Sequence, residues 1–249
     1  MERPNGDGEI LIRKLFALAE DAQSLAREMI REVLDRVIAQ KVPADPHLAA
    51  YEKFGESNLA SILFMDIVGY SKLKRDDDQR EAIELLNRLV LNALVITGCR
   101  LDDVVCLPTG DGMCLCFSSV TDGPIKVAEE VQVALAEENK KRKRQKLRIR
   151  MGVHCGNVLR ITDMKDSYNL AGAAINIAQR AMNCGDSGHI LCTREAYREF
   201  IKMKDYKRVL KPIRQLFTVK HGVRLKLYNY VRPDRGVGNL IVPHTEHKE

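Results

Sequence analysis

Two short segments, each with an aspartate at the end of an apolar strand, place the strongest constraint on how this chain can fold. The first is Phe64-Met-Asp-Ile-Val-Gly-Tyr-Ser71, in which Asp66 follows an apolar run. The second is Leu107-Pro-Thr-Gly-Asp-Gly-Met113, in which Asp111 occupies the tip of a predicted hairpin. A carboxylate at the end of a buried strand costs desolvation free energy unless a cation or hydrogen-bond donors compensate it. The pair predicts neighbouring strands whose carboxylates meet at one end of a sheet.

The residues around these aspartates indicate the ligand that such a site would take. Two carboxylates at one end of a sheet can hold two divalent ions about 4 Å apart, because hard cations prefer oxygen ligands. The turn after Asp66 offers the backbone N–H groups of Gly69, Tyr70 and Ser71, which suit phosphate oxygens. An Asp-Gly pair taken alone is typical of an ordinary turn. The combination of the two segments is what predicts a metal and polyphosphate site.

The composition is that of a globular chain without a disulfide framework. Its 249 residues are 45% hydrophobic and 30% charged, which allows one large domain with an appendage, or two small domains. The 7 cysteines form no CxxC pair, so neither disulfides nor a zinc site are expected. Apolar runs are shorter than the roughly 20 residues that cross a bilayer. The first residues, MERPNGDGEI, lack a signal-peptide pattern. We therefore expect a soluble, cytoplasmic protein without a membrane partner.

Much of the net charge of +6 comes from one basic run, residues 140–144, which Lys146 and Arg148 follow. Such a run fits either a nucleic-acid surface or a solvated helix end. Aromatic residues make up only 5% of the chain and none lies within the run, so it lacks the stacking platforms that bind single strands. The solvated surface is the favoured interpretation, and no nucleic-acid partner is expected.

The first 50 residues are predicted to form a helical segment. Residues 9–41 place apolar side chains at a 4-3-4-3-4 spacing, which makes a seam along one helix: Leu11, Leu15, Leu18, Ala22, Leu25 and Met29. Pro43 and Pro46 end this pattern. Such a helix either pairs with its copy in a homodimer or packs back on its own domain, and the dimer contact is the favoured alternative.

Strands and helices follow in no strict alternation from residue 57 to residue 232. This order predicts one α+β domain with helices on one face of a mainly antiparallel sheet. Strands are predicted at 61–65, 100–106, 113–117, 147–153, 190–192, 214–219 and 224–231. Helices are predicted at 77–97, 122–139 and 170–183, with Thr193 as the N-cap of a further one. Residues 233–249 are predicted to be a loose polar tail.

Four segments resemble, in the same order, parts of the class III nucleotidyl cyclases: residues 64–71, 108–117, 148–158 and 171–193. The resemblance extends over residues 57–231 and implies a ferredoxin-like α+β fold, which works as a homodimer with composite active sites. It also implies a reaction in which the ribose 3′-oxygen of a nucleoside triphosphate attacks the α-phosphorus. The products would be a 3′,5′-cyclic monophosphate and pyrophosphate.

The resemblance assigns roles to individual residues. Asp66 and Asp111 match the family's metal ligands, and the carbonyl of Ile67 would be a further ligand of one of two divalent ions, Mn²⁺ or Mg²⁺. Asn176 and Arg180 match a catalytic pair that the partner subunit supplies. The asparagine would orient the ribose, and the arginine would stabilise charge on the transferring phosphate.

Contacts to the triphosphate follow from the same resemblance. Near the C-terminus, Lys220 lies in a segment that resembles the family's Lys-Gly strand entry, although Gly222 is a second match to the lysine position. Lys220 is therefore the candidate lysine of the triphosphate site.

The chain departs from the purine-specific members where they contact the base. Those members carry a lysine four residues before the second metal aspartate, and this chain has Leu107 there. They carry an aspartate or a similar residue seven before the catalytic asparagine, and this chain has Asn169, preceded by Tyr168. Tyr70 replaces a phenylalanine that is usual in the first metal segment. Because leucine donates no hydrogen bond, the usual selection of adenine or guanine is lost.

The same departures resemble the bacterial anti-phage pyrimidine cyclases of Pycsar systems. Those enzymes keep the metal and Asn/Arg residues, change the purine pair, and make cyclic UMP or cyclic CMP for a separate effector protein. The resemblance therefore predicts a uridylate cyclase of antiviral defence. UTP is favoured over CTP because an asparagine amide can donate to the carbonyl oxygens of uracil and accept from its N3–H. Cytosine also pairs with an amide, so CTP stays open.

Three alternatives differ from this prediction. The first is a purine nucleotide cyclase with unusual base contacts. The second is a non-catalytic, cyclase-like binding module, although such relatives typically lose a metal aspartate or the arginine, and this chain keeps Asp66, Asp111, Asn176 and Arg180. The third is a nucleic-acid-binding protein that uses the basic run.

Overall fold

The computed structural model describes residues 45–55, 57–142, 146–162, 164, 168–203 and 206–243. The predicted helix at 9–41 and its dimer contact lie outside the described residues. No helix among the described residues is long and apolar enough to pass through a membrane.

The described residues form helices and strands in a mixed order. The helices are α1 (Pro46–Glu52), α2 (Asp76–Thr97), α3 (Gly123–Lys141), α4 (Ala173–Asn183) and α5 (Arg194–Met203). The strands are β1 (Ser57–Ile67), β2 (Val104–Pro108), β3 (Gly112–Phe117), β4 (Ile149–Thr162), β5 (Tyr168–Ala171), β6 (Ile190–Thr193), β7 (Leu210–Val219) and β8 (Val223–Tyr230). A local signal explains the start of α5: Thr193 caps this helix by accepting from the Ala196 N–H, as predicted.

One sheet with the strand order β2-β3-β1-β4-β6-β8-β7 runs through the domain, and β5 pairs with β4 outside this path. All the neighbouring pairs are antiparallel except β4 and β6, which are parallel. This confirms the predicted α+β class with a mainly antiparallel sheet. In the central strand β1, Asp66 pairs with Gly112 of β3 on one side and with Arg150 of β4 on the other.

Helices cover both faces of the sheet, so the prediction of helices on one face is wrong. Leu63 and Met65 of β1 pack into a core with α2, α3 and α5, which we call the first core. Ile62 and Phe64 point to the opposite face, where they pack with α1 and α4 in a second core. The reason is visible in the apolar run of β1, because a strand with apolar side chains on both faces needs cover on both.

Several predicted element bounds are also wrong, and two of them show why. Residues 170–172 were expected to begin a helix, but Leu170 belongs to β5, where it pairs with Arg160 of β4. The helix begins only after Gly172, whose φ of 145° is closed to other residues. The strand expected to begin at Arg100 begins at Val104, after a 3₁₀ turn over Leu101–Asp103. In both cases tertiary pairing overrides the local apolar pattern.

The structure describes the tail after Pro233 as far as residue 243, and over these residues the tail is held against the domain instead of being loose. Val237 is only 2% exposed. The Gly238 N–H donates to Gln132 of α3 at 2.8 Å, and the Asn239 amide donates to the Ser187 carbonyl at 2.9 Å. Sequence patterns missed this segment because individual hydrogen bonds and one buried valine hold it, without any periodic apolar face.

Candidate active site

The two predicted metal aspartates lie together at one end of the sheet. The Ile67 N–H donates to the backbone carbonyl of Asp111 at 3.1 Å, which ties the end of β1 to the β2–β3 turn. Asp66 is 8% exposed. Its Oδ2 accepts from Nε and Nη2 of Arg150 at 3.0 and 2.8 Å. Its Oδ1 is buried and has no hydrogen-bond partner among the described residues.

Burial raises the pKa of Asp66, Arg150 opposes this effect and the negative charge of Asp111 adds to it, so that the pKa lies at about 6. A buried carboxylate oxygen without a donor, beside a second carboxylate, is an environment that a cation would complete. The donors within reach are all oxygens: two carboxylates and the Ile67 carbonyl. Within the described ranges no cluster of three or more His, Cys, Asp or Glu residues could hold a metal. This donor set fits Mg²⁺ or Mn²⁺ with further ligands from a triphosphate, and does not fit zinc.

Glycines let the backbone close up around this metal half of the site, meaning Asp66, Asp111 and the turn after β1. A Cβ on Gly112 would lie 2.1 Å from the Met65 carbonyl oxygen and 2.9 Å from the Asp66 Cα. Only glycine therefore allows β3 to approach β1 beside the carboxylate. Gly69 has a φ of 79° and turns the chain into a 3₁₀ turn over Tyr70–Lys72. The predicted phosphate-binding turn thus begins three residues after the first aspartate.

Three of the four predicted base-recognition residues lie on two strands that contact each other, β2 and β5. Leu107 of β2 is half-buried and packs, as does Ile175 of α4, against the second core. Tyr168 of β5 is 41% exposed. The side-chain oxygen of Asn169 accepts from the Leu170 N–H at 2.8 Å. We call Leu107, Tyr168 and Asn169 the base half.

Two predicted residues lie apart from these groups. Tyr70 packs against the first core, on the other face of the sheet from Leu107. Lys220 lies in the exposed turn between β7 and β8. The strand pairing leads from Asp66 through Arg150 of β4 and the start of β6 to the region of Asn229, near the end of β8. The turn that precedes β8 therefore lies at the opposite end of the sheet from Asp66. Within one chain, Tyr70 therefore lies apart from the base half, and Lys220 lies apart from the metal half.

Asn176 and Arg180 lie on the outer face of α4. The opposite face of that helix is buried, through Ala174, Ala178 and Met182. Asn176 is exposed and Arg180 is half-buried. In the described part of the chain the cation bound to Asp66 is Arg150, and no ion pair of Arg180 with Asp66 or Asp111 is seen there.

A sequence comparison assigns this arrangement to a family. Residues 53–224 match the family described as the adenylate and guanylate cyclase catalytic domain. The chain belongs to that family. No curated protein sequence matches it.

Solved cyclase structures resemble this cyclase domain in fold. The guanylyl cyclase Cya2 has a TM-score of 0.60 at 19% identity, over 78% of this chain and 100% of its own. The adenylyl cyclase CyaB from P. aeruginosa has a TM-score of 0.55 at 17% identity, over 71% of this chain and 95% of its own. The catalytic core of a rhodopsin-guanylyl cyclase with converted specificity, in complex with ATPαS, has a TM-score of 0.55 at 20% identity, over 72% of this chain and 100% of its own.

Arg150 is the functional candidate of this cyclase domain that sequence reasoning missed. It lies in β4 directly opposite Asp66 and forms an ion pair with it at 2.8 Å. Residues 147–153 were predicted only as a strand, with no role for Arg150, whose side chain is 28% exposed in the structure. Arg150 and Gly152 are two residues apart and therefore lie on the same face of β4. Because α4 packs against Gly152, Arg150 lies on a covered face.

Proposed function

We propose that this cyclase domain converts a pyrimidine nucleoside triphosphate, UTP before CTP, into its 3′,5′-cyclic monophosphate and pyrophosphate. The choice of a pyrimidine base rests on the side chain at Leu107. Its half-buried side chain packs against the second core and offers no donor where purine-specific cyclases carry a lysine. A site without that donor forfeits the hydrogen bond that selects adenine or guanine.

The metal half supports two-metal catalysis. Asp66, Asp111 and the Ile67 carbonyl would hold two Mg²⁺ or Mn²⁺ ions. When bound, such ions neutralise the triphosphate and lower the pKa of the 3′-hydroxyl. In the reaction a bond forms between the ribose 3′-oxygen and the α-phosphorus, the bond to pyrophosphate breaks, and the hydroxyl proton is released. Pyrophosphate leaves with the bonding electron pair.

Arg150 supplies a positive charge to the same place. Its guanidinium binds the otherwise uncompensated Asp66. With Asp66 engaged as a metal ligand, the guanidinium of Arg150 would be available to oxygens of the β- or γ-phosphate, which match its planar donors. Arg150 would in this way stabilise metal-free protein and later bind substrate.

The catalytic pair supports a homodimer with composite sites. Asn176 and Arg180 lie on the outer face of α4, where a second subunit could receive them. In the partner's site the asparagine would orient the ribose, and the arginine would stabilise charge on the transferring phosphate. Lys220, at the far end of its own sheet, would likewise reach only a partner's triphosphate.

The base half supports a pyrimidine and leaves its identity to experiment. With the side-chain oxygen of Asn169 engaged by the Leu170 N–H, the amide presents donors. Donors meet the O2 or O4 of uracil, or the O2 and N3 of cytosine, and the second lone pair of the amide oxygen would accept from the N3–H of uracil. By resemblance to Pycsar cyclases, the cyclic nucleotide would act as a second messenger that activates a separate effector protein in cytoplasmic antiviral defence.

Side-by-side assays of UTP, CTP, ATP and GTP with Mn²⁺ test this proposal, with the cyclic products identified by mass. We expect cyclic UMP to dominate. A dominant cyclic AMP or cyclic GMP product would overturn the choice of base but leave the cyclase activity standing. No cyclic product from any of the four, with a folded dimer, would favour the non-catalytic alternative.

A further inference from the structure

An aromatic contact links α1 to the base half. The ring of Tyr51, on α1, lies against the ring of Tyr168, on β5, with centroids 4.8 Å apart and a tilt of 38°. Tyr51 is 8% exposed, whereas Tyr168 is 41% exposed. One ring is therefore a buried anchor, and the other is a partly open surface that rests on it.

Tyr51 is held from further sides. Its hydroxyl donates to the Ile161 carbonyl of β4 at 3.3 Å, and Ile161 pairs with Asn169 in the β4–β5 ladder. The guanidinium of Arg160 lies 5.2 Å from the centre of the Tyr51 ring. The ring of Tyr51 therefore contacts both strands of the hairpin that carries Tyr168 and Asn169.

The same C-terminal end of α1 is fixed to the turn that precedes the strand carrying Leu107. Lys53, at the C-cap, donates to Asp102 at 3.0 Å, and Arg100 binds the same carboxylate at 2.8 Å. This carboxylate lies in the 3₁₀ turn from which β2 begins. The C-terminal end of α1 thus contacts both the start of β5, which carries Tyr168, and the turn before β2, which carries Leu107.

We propose that Tyr51 is a positioning residue for base selection, acting through Tyr168. This inference rests on the proposed function, because it takes Tyr168 to be part of the base half. A side chain that is already held in place loses less rotational freedom when a ligand binds, so its contact discriminates better between ligands. Without the Tyr51 ring, Tyr168 would sample other rotamers, and bases would be selected less sharply.

The test compares Tyr51→Leu, which removes the ring, with Tyr51→Phe, which removes only the hydroxyl. The readout is the ratio of kcat/KM between the best and the second-best of the four triphosphates. We expect Tyr51→Leu to reduce this ratio on the order of three- to ten-fold, and Tyr51→Phe by less than about two-fold. Tyr51→Met, which keeps an apolar side chain of similar length, replaces Tyr51→Leu if that variant does not fold.

Tyr197→Leu is the matched control. It removes one ring of another aromatic pair, Tyr197 and Tyr228, whose centroids lie 3.9 Å apart between α5 and β8. We expect it to lower stability and leave the ratio unchanged. The double variant of Tyr51→Leu with Tyr168→Leu should have the ratio of Tyr168→Leu alone, because Tyr51 acts only through that ring.

The outcome separates this inference from the proposed function. A purine as the best substrate of the unchanged protein would overturn the pyrimidine proposal, while the shift in ratio would still report on Tyr51. If turnover is absent, dissociation constants for the same triphosphates provide the ratio. An unchanged ratio in folded Tyr51→Leu or Tyr51→Met, or an equal shift in Tyr197→Leu, would overturn the positioning role.

Discussion

The metal half and the base half of this cyclase domain are built in opposite ways. Asp66 lies in the central strand, 8% exposed, with its backbone paired on both sides. Tyr168 lies on a short strand outside the main path of the sheet, 41% exposed, and rests on one neighbouring ring. Backbone pairing on both sides therefore fixes the candidate metal ligand Asp66. The candidate base contact Tyr168 is paired on one side only, and its side chain packs near the surface against one ring.

The largest expected effect tests whether the metal half needs a partner's catalytic pair. Asp111→Ala and Arg180→Ala should each lower kcat on the order of 10³-fold or more while dimers persist. Mixing the two variants should restore about a quarter of wild-type activity, because half of the dimers would be mixed and each would have one intact site. Product formation after subunit exchange measures this recovery. If exchange is demonstrated and no activity returns, the composite site is wrong.

The next effect tests how tightly the backbone closes around the carboxylates. Gly112→Ala should lower the free energy of unfolding by about 3 kcal/mol or more, because its Cβ would overlap the Met65 carbonyl. Gly110→Ala is the matched control: Gly110 has a φ of 92° but an open surrounding, so the loss should be only about 1–2 kcal/mol. Urea denaturation of both variants measures the difference. Equal losses would mean that the close approach of β3 to β1 is not required.

A third effect follows from the raised pKa of Asp66. Since its pKa rises from 3.8 in the unfolded chain to about 6 in the fold, the metal-free folded state binds the proton more tightly. Stability should fall by up to about 3 kcal/mol as pH rises from about 4 to about 6. Asp66→Asn, which does not titrate, should lack this part of the slope.

Denaturation midpoints of both proteins in chelator, at pH 4.5 and pH 7.5, measure this difference. Added Mn²⁺ should stabilise the parent more at the higher pH, where no proton competes for the carboxylate. A parent-to-variant difference that does not change with pH would show that Asp66 is not desolvated as its burial indicates.

The smallest effect concerns the base half. Leu107→Lys should raise kcat/KM for ATP or GTP relative to UTP by about ten-fold, because it adds a donor for a purine acceptor. Leu107→Met, which changes shape but adds no donor, should leave the ratio within about two-fold. An equal shift in both variants would mean that packing against the second core, and not the missing donor, sets the selection.

Much of the site was predictable because its residues are adjacent in sequence to recognisable strands. Asp66, Asp111 and the Gly69 turn lie where their segments indicated, and the i, i+4 spacing places Asn176 and Arg180 along one side of a helix. Arg150 was missed because its partner is 84 residues away. Tyr51 was missed for the same reason, since the ring that it contacts lies on β5 and no local pattern joins the two.

The sequence by itself determined the chemistry of this protein: which residues could bind metal and phosphate, the α+β class, and the absence of the purine lysine at Leu107. These follow from residue type and short-range spacing, which act before the chain folds. Only the tertiary structure decided that Arg150 compensates Asp66, that helices cover both faces of the sheet, and that residues 233–243 dock on the domain. Contacts between distant segments depend on strand register and side-chain packing, and no local pattern encodes either.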